Sequence, residues 1–156
     1  MFKRILVPHD GSAFAERALP HALELAKQFS SEVHLLEVVP DQAPALLTEE
    51  VGEQLNPEVA LETLGEVQEK IREAGRERLQ QLATGLQRDG LVVRWAVVDG
   101  DPVQEILSYA DQHQIELIAM ASHGRTGLAR AILGSVTDAL LRQARQPILV
   151  TPIRES

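Results

Sequence analysis

Five short runs of valine, isoleucine and leucine, separated by stretches of helical spacing, leave few folds open to this chain. The runs are "RILVP" around Ile5, "EVHLLEVVP" from Glu32, "LVVRWAVVD" from Leu91, "IELIAMAS" from Ile115 and "QPILVTPI" from Gln146. Most lack a clean alternation of apolar and polar residues, which marks strands covered on both faces, as in a parallel sheet. "VRWAVV" alternates in part and is expected towards a sheet edge. Strands that alternate with helices require right-handed crossovers, so the expected architecture is an open parallel α/β sheet with helices on both faces.

The helical stretches carry their own punctuation. After Ser12, a candidate N-cap, Phe14, Ala18, Ala22, Leu25 and Phe29 recur at helical spacing, with Pro20 expected to kink the helix. Leu64, Val67, Ile71, Leu79, Leu82 and Leu86 mark one face of a long helix from about Glu58, with Gly85 and Gly90 expected to end it. The charges from Glu66 to Arg78 read as its solvated face, laced by i,i+4 pairs. "DPVQEILSYA" offers Asp101 as N-cap, Pro102 at the first helical position and Gln104 at the third, with Ile106, Leu107 and Ala110 inward. A last helix is expected from Ser135 to about Arg145, stopping before Pro147. The connection from Pro40 to Pro57 has no clear periodicity.

Composition sets outer bounds. The 156 residues suit a single domain spanning 1–156, and 44% hydrophobic with 24% charged residues is the balance of a soluble globular protein. A formal net charge of −8 argues against nucleic-acid or anionic-membrane partners, which it would repel at long range. Without cysteine there are no disulfides and no thiolate metal sites. The apolar run in "MFKRILVPHDGS" is too short for a signal peptide and no stretch suits a membrane span, so a cytoplasmic location is expected.

Two strand ends stand out. The first strand runs into Pro8, His9, Asp10, Gly11 and Ser12. The strand after Ile115 runs into "MASHGRTGLARAILGSVTDALL", Met120 to Leu141, with no acid between Glu116 and Asp138. In an open parallel sheet, ligands bind beyond the carboxyl ends of the strands. There Gly134 permits close approach, and Ser135, Val136 and Thr137 open a helix whose first N–H groups and dipole favour a phosphate. Arg125 and Arg130 raise the local potential, and Asp10 could hold a Mg²⁺ that bridges phosphate oxygens. If the two strands are neighbours, Asp10 faces this turn across one crevice, which suits a nucleotide. Each part has a duller reading: Gly–Ser as a turn plus N-cap, Asp10 as a cap beside Ser12, His123 as a turn hydrogen-bonder. His21, His34, His113, Tyr109 and Trp95 read as structural, packing or surface residues.

"ILVPHDGS", "LLEVVP", "DGDPVQEIL" and "MASHGRTGLARAILGSVTDALLRQARQPILVTP", taken in order, resemble the universal stress protein family over nearly the whole chain. The resemblance implies a single five-stranded parallel sheet of order 3-2-1-4-5, of the adenine nucleotide alpha hydrolase type, and a homodimer formed through the last strand. It implies adenine nucleotide binding (ATP, or AMP or ADP) with Mg²⁺. ATP-binding members carry Gly, two residues, Gly, nine residues, Gly, then Ser or Thr. Gly124, Gly134 and Ser135 match, while Ala121 stands for the first glycine. By the same resemblance Pro8, His9 and Asp10 lie against adenine, ribose or metal, with Val38 beside the base. Met120, Ala121 and Gly124 flank ribose and phosphates, Gly134, Ser135, Val136 and Thr137 cradle the phosphates, and Arg125 is counted with them among the nucleotide-binding residues.

The functional expectation is therefore an ATP-binding regulatory or stress-protective protein, with no catalytic residue assigned. The alternatives are a slow ATP hydrolase on the same site and a dimeric interaction module that has lost nucleotide binding. The chain carries no Gly-Lys-Ser/Thr phosphate loop and no His-x-Gly-His signature of nucleotidyl transferases.

Overall fold

A computed structural model of the chain describes residues 1–12, 15–41, 57–122 and 134–152. In chain order they form β1 (Arg4–His9), a 3₁₀ turn (Ala15–Ala18), α1 (Leu19–Phe29), β2 (Glu32–Val39), α2 (Pro57–Arg88), β3 (Val92–Asp99), α3 (Pro102–Gln112), β4 (Leu117–Ala121), α4 (Ser135–Gln143) and β5 (Ile148–Thr151). The strands make one five-stranded sheet of order β3-β2-β1-β4-β5, and every pairing is parallel. β3, the strand with partial alternation, lies on an edge.

The runs lack alternation because both faces of the sheet are covered. On one face Ile5, Val7, Val33, Leu35, Leu117 and Ala119 pack against Ala22 and Ala26 of α1 and Leu79, Ala83 and Leu86 of α2. On the other, Leu6, Leu36, Ile118 and Met120 pack against Ile106 and Ala110 of α3 and Leu140 of α4. Ile5, Leu6, Leu35, Leu36 and Ile118 are wholly buried, and each such side chain contributes about 1.5–3 kcal/mol relative to exposure.

Helix ends follow local chemistry. Asp101 caps α3 by accepting from the Gln104 N–H at 3.0 Å, with Pro102 in the first turn. At the end of α2 the Gly90 N–H bonds the Gln87 carbonyl at 3.0 Å and the Leu91 N–H bonds the Leu86 carbonyl at 3.2 Å. This closing turn needs a left-handed residue, which Gly90 supplies at φ +85°.

Several expectations are corrected. Pro20 does not kink a helix interior. The backbone runs as a 3₁₀ turn to Ala18, and Pro20 falls in the first turn of α1, where its missing N–H has no acceptor to lose. Phe29 is exposed at the end of α1, edge-on to Phe2 at 5.6 Å between ring centroids. Gly85 does not end α2, which continues to Arg88. α4 stops at Gln143, two residues short of the expected end. Val67 is exposed, as is Leu61 at 64%. The core-facing stripe of α2 thus continues past the part of the helix that packs on the sheet. Phe14 and nearly all of the Pro40–Pro57 connection lie outside the described residues.

Candidate functional site

β1 pairs with β2 along its whole length, Arg4 to His9, but with β4 only at Ile5–Leu117 and Leu6–Ile118. The strand order reverses at this point, and beyond it opens a cavity of about 390 Å³. Its wall combines Pro8 and His9 at the end of β1 with Asp10 just after it, Leu36 to Pro40 at the end of β2, and Ile71 of α2. Pro102 and Ile106 of α3, Met120 and Ala121 of β4, and Gly134 to Thr137 at the mouth of α4 complete it, with Ala15. Ten of the residues singled out in the sequence therefore share one cavity: Pro8, His9, Asp10, Val38, Met120, Ala121, Gly134, Ser135, Val136 and Thr137. His123, Gly124, Arg125 and Arg130 lie outside the described residues.

The turn after β1 is built from its own side chains. The Asp10 carboxylate accepts from both the N–H and the hydroxyl of Ser12, and the Ser12 hydroxyl oxygen accepts from the Ala15 N–H at 3.3 Å. Ser12 thus caps the 3₁₀ turn and Asp10 holds Ser12. Gly11 sits at φ +80°, and its N–H donates to His9 Nδ1 at 2.9 Å. A ring nitrogen that accepts carries no proton, so the neutral His9 ring is protonated at Nε2. Among the described residues Nε2 has no hydrogen-bond partner, and the Glu16 carboxylate stands 3.9 Å away. Burial pushes the His9 imidazole below its ordinary pKa, against the pull of the Glu37, Asp10 and Glu16 carboxylates.

Across the cavity, the ladder of α4 begins with the Asp138 N–H donating to the Gly134 carbonyl at 2.9 Å. The amides of Ser135, Val136 and Thr137 have no acceptor inside the helix, so its first turn presents N–H groups at the cavity. Gly134 also ties back to β4, its N–H donating to the Ser122 carbonyl at 2.9 Å. The Thr137 hydroxyl is committed elsewhere: it is buried and donates to the Ala121 carbonyl at 3.3 Å. What Thr137 offers a ligand is its backbone N–H, while its side chain fixes α4 against the end of β4.

The sequence reading missed Glu37. It is buried, lines the cavity, and lies level with His9 in the β1–β2 register. Arg78 of α2 grips it with both ends of the guanidinium, Nη2 to Oε1 at 2.6 Å and Nε to Oε2 at 3.2 Å. Arg78 is therefore no part of a solvated helix face. Arg72 likewise leaves that face to pair with Asp99 at the end of β3, and Glu73–Arg76 is an i,i+3 pair, not the expected i,i+4. The available signal was an acid inside an apolar run, "LLEVV", where a covered strand should bury none without a partner.

A divalent ion would find few protein ligands here. No group of three or more His, Asp or Glu side chains converges among the described residues. Asp10 alone fits Mg²⁺ only in the manner of sites that take one or two carboxylates and complete the shell with substrate phosphates and water.

The model of the universal stress protein family matches residues 1–152. The chain belongs to this family. The universal stress protein MJ0531 of Methanocaldococcus jannaschii is 31% identical over 153 residues, covering 96% of this chain and 82% of that protein. The universal stress protein MJ0577 of the same organism is 32% identical over 162 residues, covering 100% of this chain and 98% of its own. A solved structure of protein MJ0577 superposes with a TM-score of 0.81 at 30% identity, covering 100% of this chain and 99% of that one. More distant universal stress proteins share the fold. One from Arabidopsis thaliana was solved with AMP bound (15% identity, TM-score 0.62, 97% of this chain, 92% of that one), and another in complex with cAMP (18% identity, TM-score 0.58, 96% and 97%).

Proposed function

We propose that this universal stress protein binds an adenine nucleotide, ATP together with Mg²⁺, in the cavity at the ends of β1, β2 and β4. The nucleotide would set the protein's conformation or partners in a regulatory, stress-protective role. The observation that carries the reading is the meeting, in one cavity, of the α4 amides after Gly134 with the Asp10 turn and an apolar wall of Val38, Pro102, Ile106 and Met120. The amides suit phosphate oxygens, and the apolar wall suits a planar base. Asp10 would hold Mg²⁺ jointly with the phosphates. Distant relatives that carry AMP or cAMP support the nucleotide class.

A homodimer through β5 belongs to the same proposal. β5 is a four-residue edge strand with every residue half-buried, and an edge leaves a row of N–H and C=O groups to be paired. Neither nucleic acid nor membrane is proposed as a partner, and no helix among the described residues is long and apolar enough to cross a bilayer.

Purified protein is expected to retain adenine nucleotide, or to melt at a higher temperature as ATP is added, since a ligand bound only by the folded state stabilises it by mass action. A melting temperature indifferent to ATP, AMP and ADP at millimolar concentration would overturn the proposal.

A further inference from the structure

Glu37, buried and paired with the half-buried Arg78 of α2, is part of the cavity wall, and packing does not require it. Glu37 occupies an inward position of β2, two residues after Leu35, where an apolar side chain would fill the same space without loss of hydration. The surroundings are shaped around the carboxylate. Arg78 binds both of its oxygens, with side-chain exposures of 33% for Arg78 and 4% for Glu37. The facing residue of α2 is the buried Gly75, where an added Cβ would stand 3.2 Å from Glu37 Cδ and Oε1. A side chain at Gly75 would push on the carboxylate.

Each carboxylate oxygen accepts more than one hydrogen bond, so the grip of Arg78 leaves acceptor capacity over. Arg78 also compensates the charge, which matters in a cavity that has to admit an anion. An acid near the end of the second strand of a doubly wound sheet is placed to receive a sugar hydroxyl, as in dinucleotide-binding folds. His9, beside Glu37 in register, cannot be the donor: its Nδ1 accepts from Gly11, and no bond joins its Nε2 to Glu37.

We infer that Glu37, oriented by Arg78 and given room by Gly75, accepts a hydrogen bond from a ribose hydroxyl and makes the cavity selective for ribonucleotides over deoxyribonucleotides. The inference rests on the nucleotide reading above and adds a specificity residue to it.

The test compares ATP, 2′-deoxy-ATP and 3′-deoxy-ATP by calorimetry on the full chain, in wild type and in Glu37→Gln. Wild type is expected to bind ATP about ten-fold or more tightly than at least one deoxy analogue, the effect of losing a hydrogen bond to a charged acceptor. In Glu37→Gln, which keeps a neutral acceptor but loses the charge, the gap should shrink several-fold. Equal binding of all three by wild type overturns the inference and leaves the nucleotide reading standing. An undiminished gap in Glu37→Gln also overturns it, because a bond to the carboxylate must weaken when its charge is lost. Binding of none of the three ends both. Should Glu37→Gln fail to fold, Gly75→Ala displaces the same carboxylate with its charge kept and must narrow the gap; an unchanged gap there counts against the inference.

Discussion

Two histidines are buried in this sheet, one at each end, and they are treated in opposite ways. His34, near the start of β2, uses both ring nitrogens: Nε2 donates to Glu32 at 2.7 Å, and Nδ1 accepts from the Tyr109 hydroxyl at 3.0 Å. Glu32 also takes Arg94 at 2.9 Å, and His113 stacks on Tyr109 with ring centroids 4.0 Å apart. His9, at the end of β1, has one nitrogen bonded to its own turn and the other without a partner among the described residues. A saturated network is how a fold makes a buried polar group tolerable; an unsaturated one beside a cavity is tolerated where the site has another use. The His34 end of the sheet, the lower one, is packing, and the His9 end, the upper one, is where the nucleotide site is proposed.

The largest effect expected is at the upper end alone. Gly134 has φ −55° and ψ 153°, a conformation open to any residue, so Gly134→Val should fold normally. Its side chain would enter the cavity where the amides of α4 begin, and ATP affinity should fall about a hundred-fold or more, close to 3 kcal/mol, by loss of phosphate contacts. Isothermal titration checks it, with circular dichroism as the control for folding. Unchanged ATP affinity would remove the cavity from the account of nucleotide binding.

Next comes a paired exchange that tests the contrast itself. His34→Ala leaves the Tyr109 hydroxyl and one lone pair of Glu32 without their partner, at a cost of about 2–3 kcal/mol. For a domain of this size that is a fall in melting temperature of roughly 5–10 °C, with the shift caused by ATP unchanged. His9→Ala removes a ring with one bond and should cost about 1 kcal/mol or less, while weakening ATP binding through the loosened Gly11–Ser12 turn. If the two variants behave alike, the division into packing end and site end is wrong.

Acid should act on both ends together. Burial holds His34 and His9 below the ordinary histidine pKa of 6.5. As pH falls below about 6.5, the unfolded chain takes up protons that the folded chain refuses, so stability drops until the folded pKa values are passed. The slope is at most about 1.4 kcal/mol per pH unit for each histidine. Stability from these rings is thus fully present above pH 6.5 and lost below it. Urea melts between pH 5 and 7.5 measure the slope, and His34→Gln should reduce it by the share of one group. A slope that does not change in His34→Gln would show that its burial has no bearing on acid stability.

How far the sequence revealed these two ends depended on the range of the interaction. Strand runs, the Asp101 cap and the Gly134–Ser135 helix start were legible because a few adjacent residues determine them. The universal stress protein resemblance then placed β1 beside β4, and with it the cavity. The Glu37–Arg78 pair was not legible, since its members lie 41 residues apart and only the packing of α2 on β2 brings them together. Val67, read as part of the core-facing stripe but exposed, misled for a related reason: helical periodicity reports a face, not where its support ends. Pro20 misled because a 3₁₀ turn and an α-helix share nearly the same apolar spacing over one turn, so the boundary at Leu19 left no mark in the pattern.

The smallest effect expected is at Ala121, where alanine stands in the position the family's ATP-binding pattern gives to glycine. Ala121 ends β4, is 8% exposed, lines the cavity, and its carbonyl holds Thr137. Ala121→Gly removes one methyl group from the cavity wall and frees the backbone of a strand end, a stability cost of about 0.5–1 kcal/mol. The carbonyl that anchors α4 stays in place, so the amide cradle keeps its position. ATP affinity should therefore stay the same or tighten by no more than a few-fold, while the melting temperature falls slightly. A large loss of affinity would mean that the methyl group itself packs against the ligand. The glycine spacing would then be aligned to the wrong residues, although the cavity at the upper end would remain.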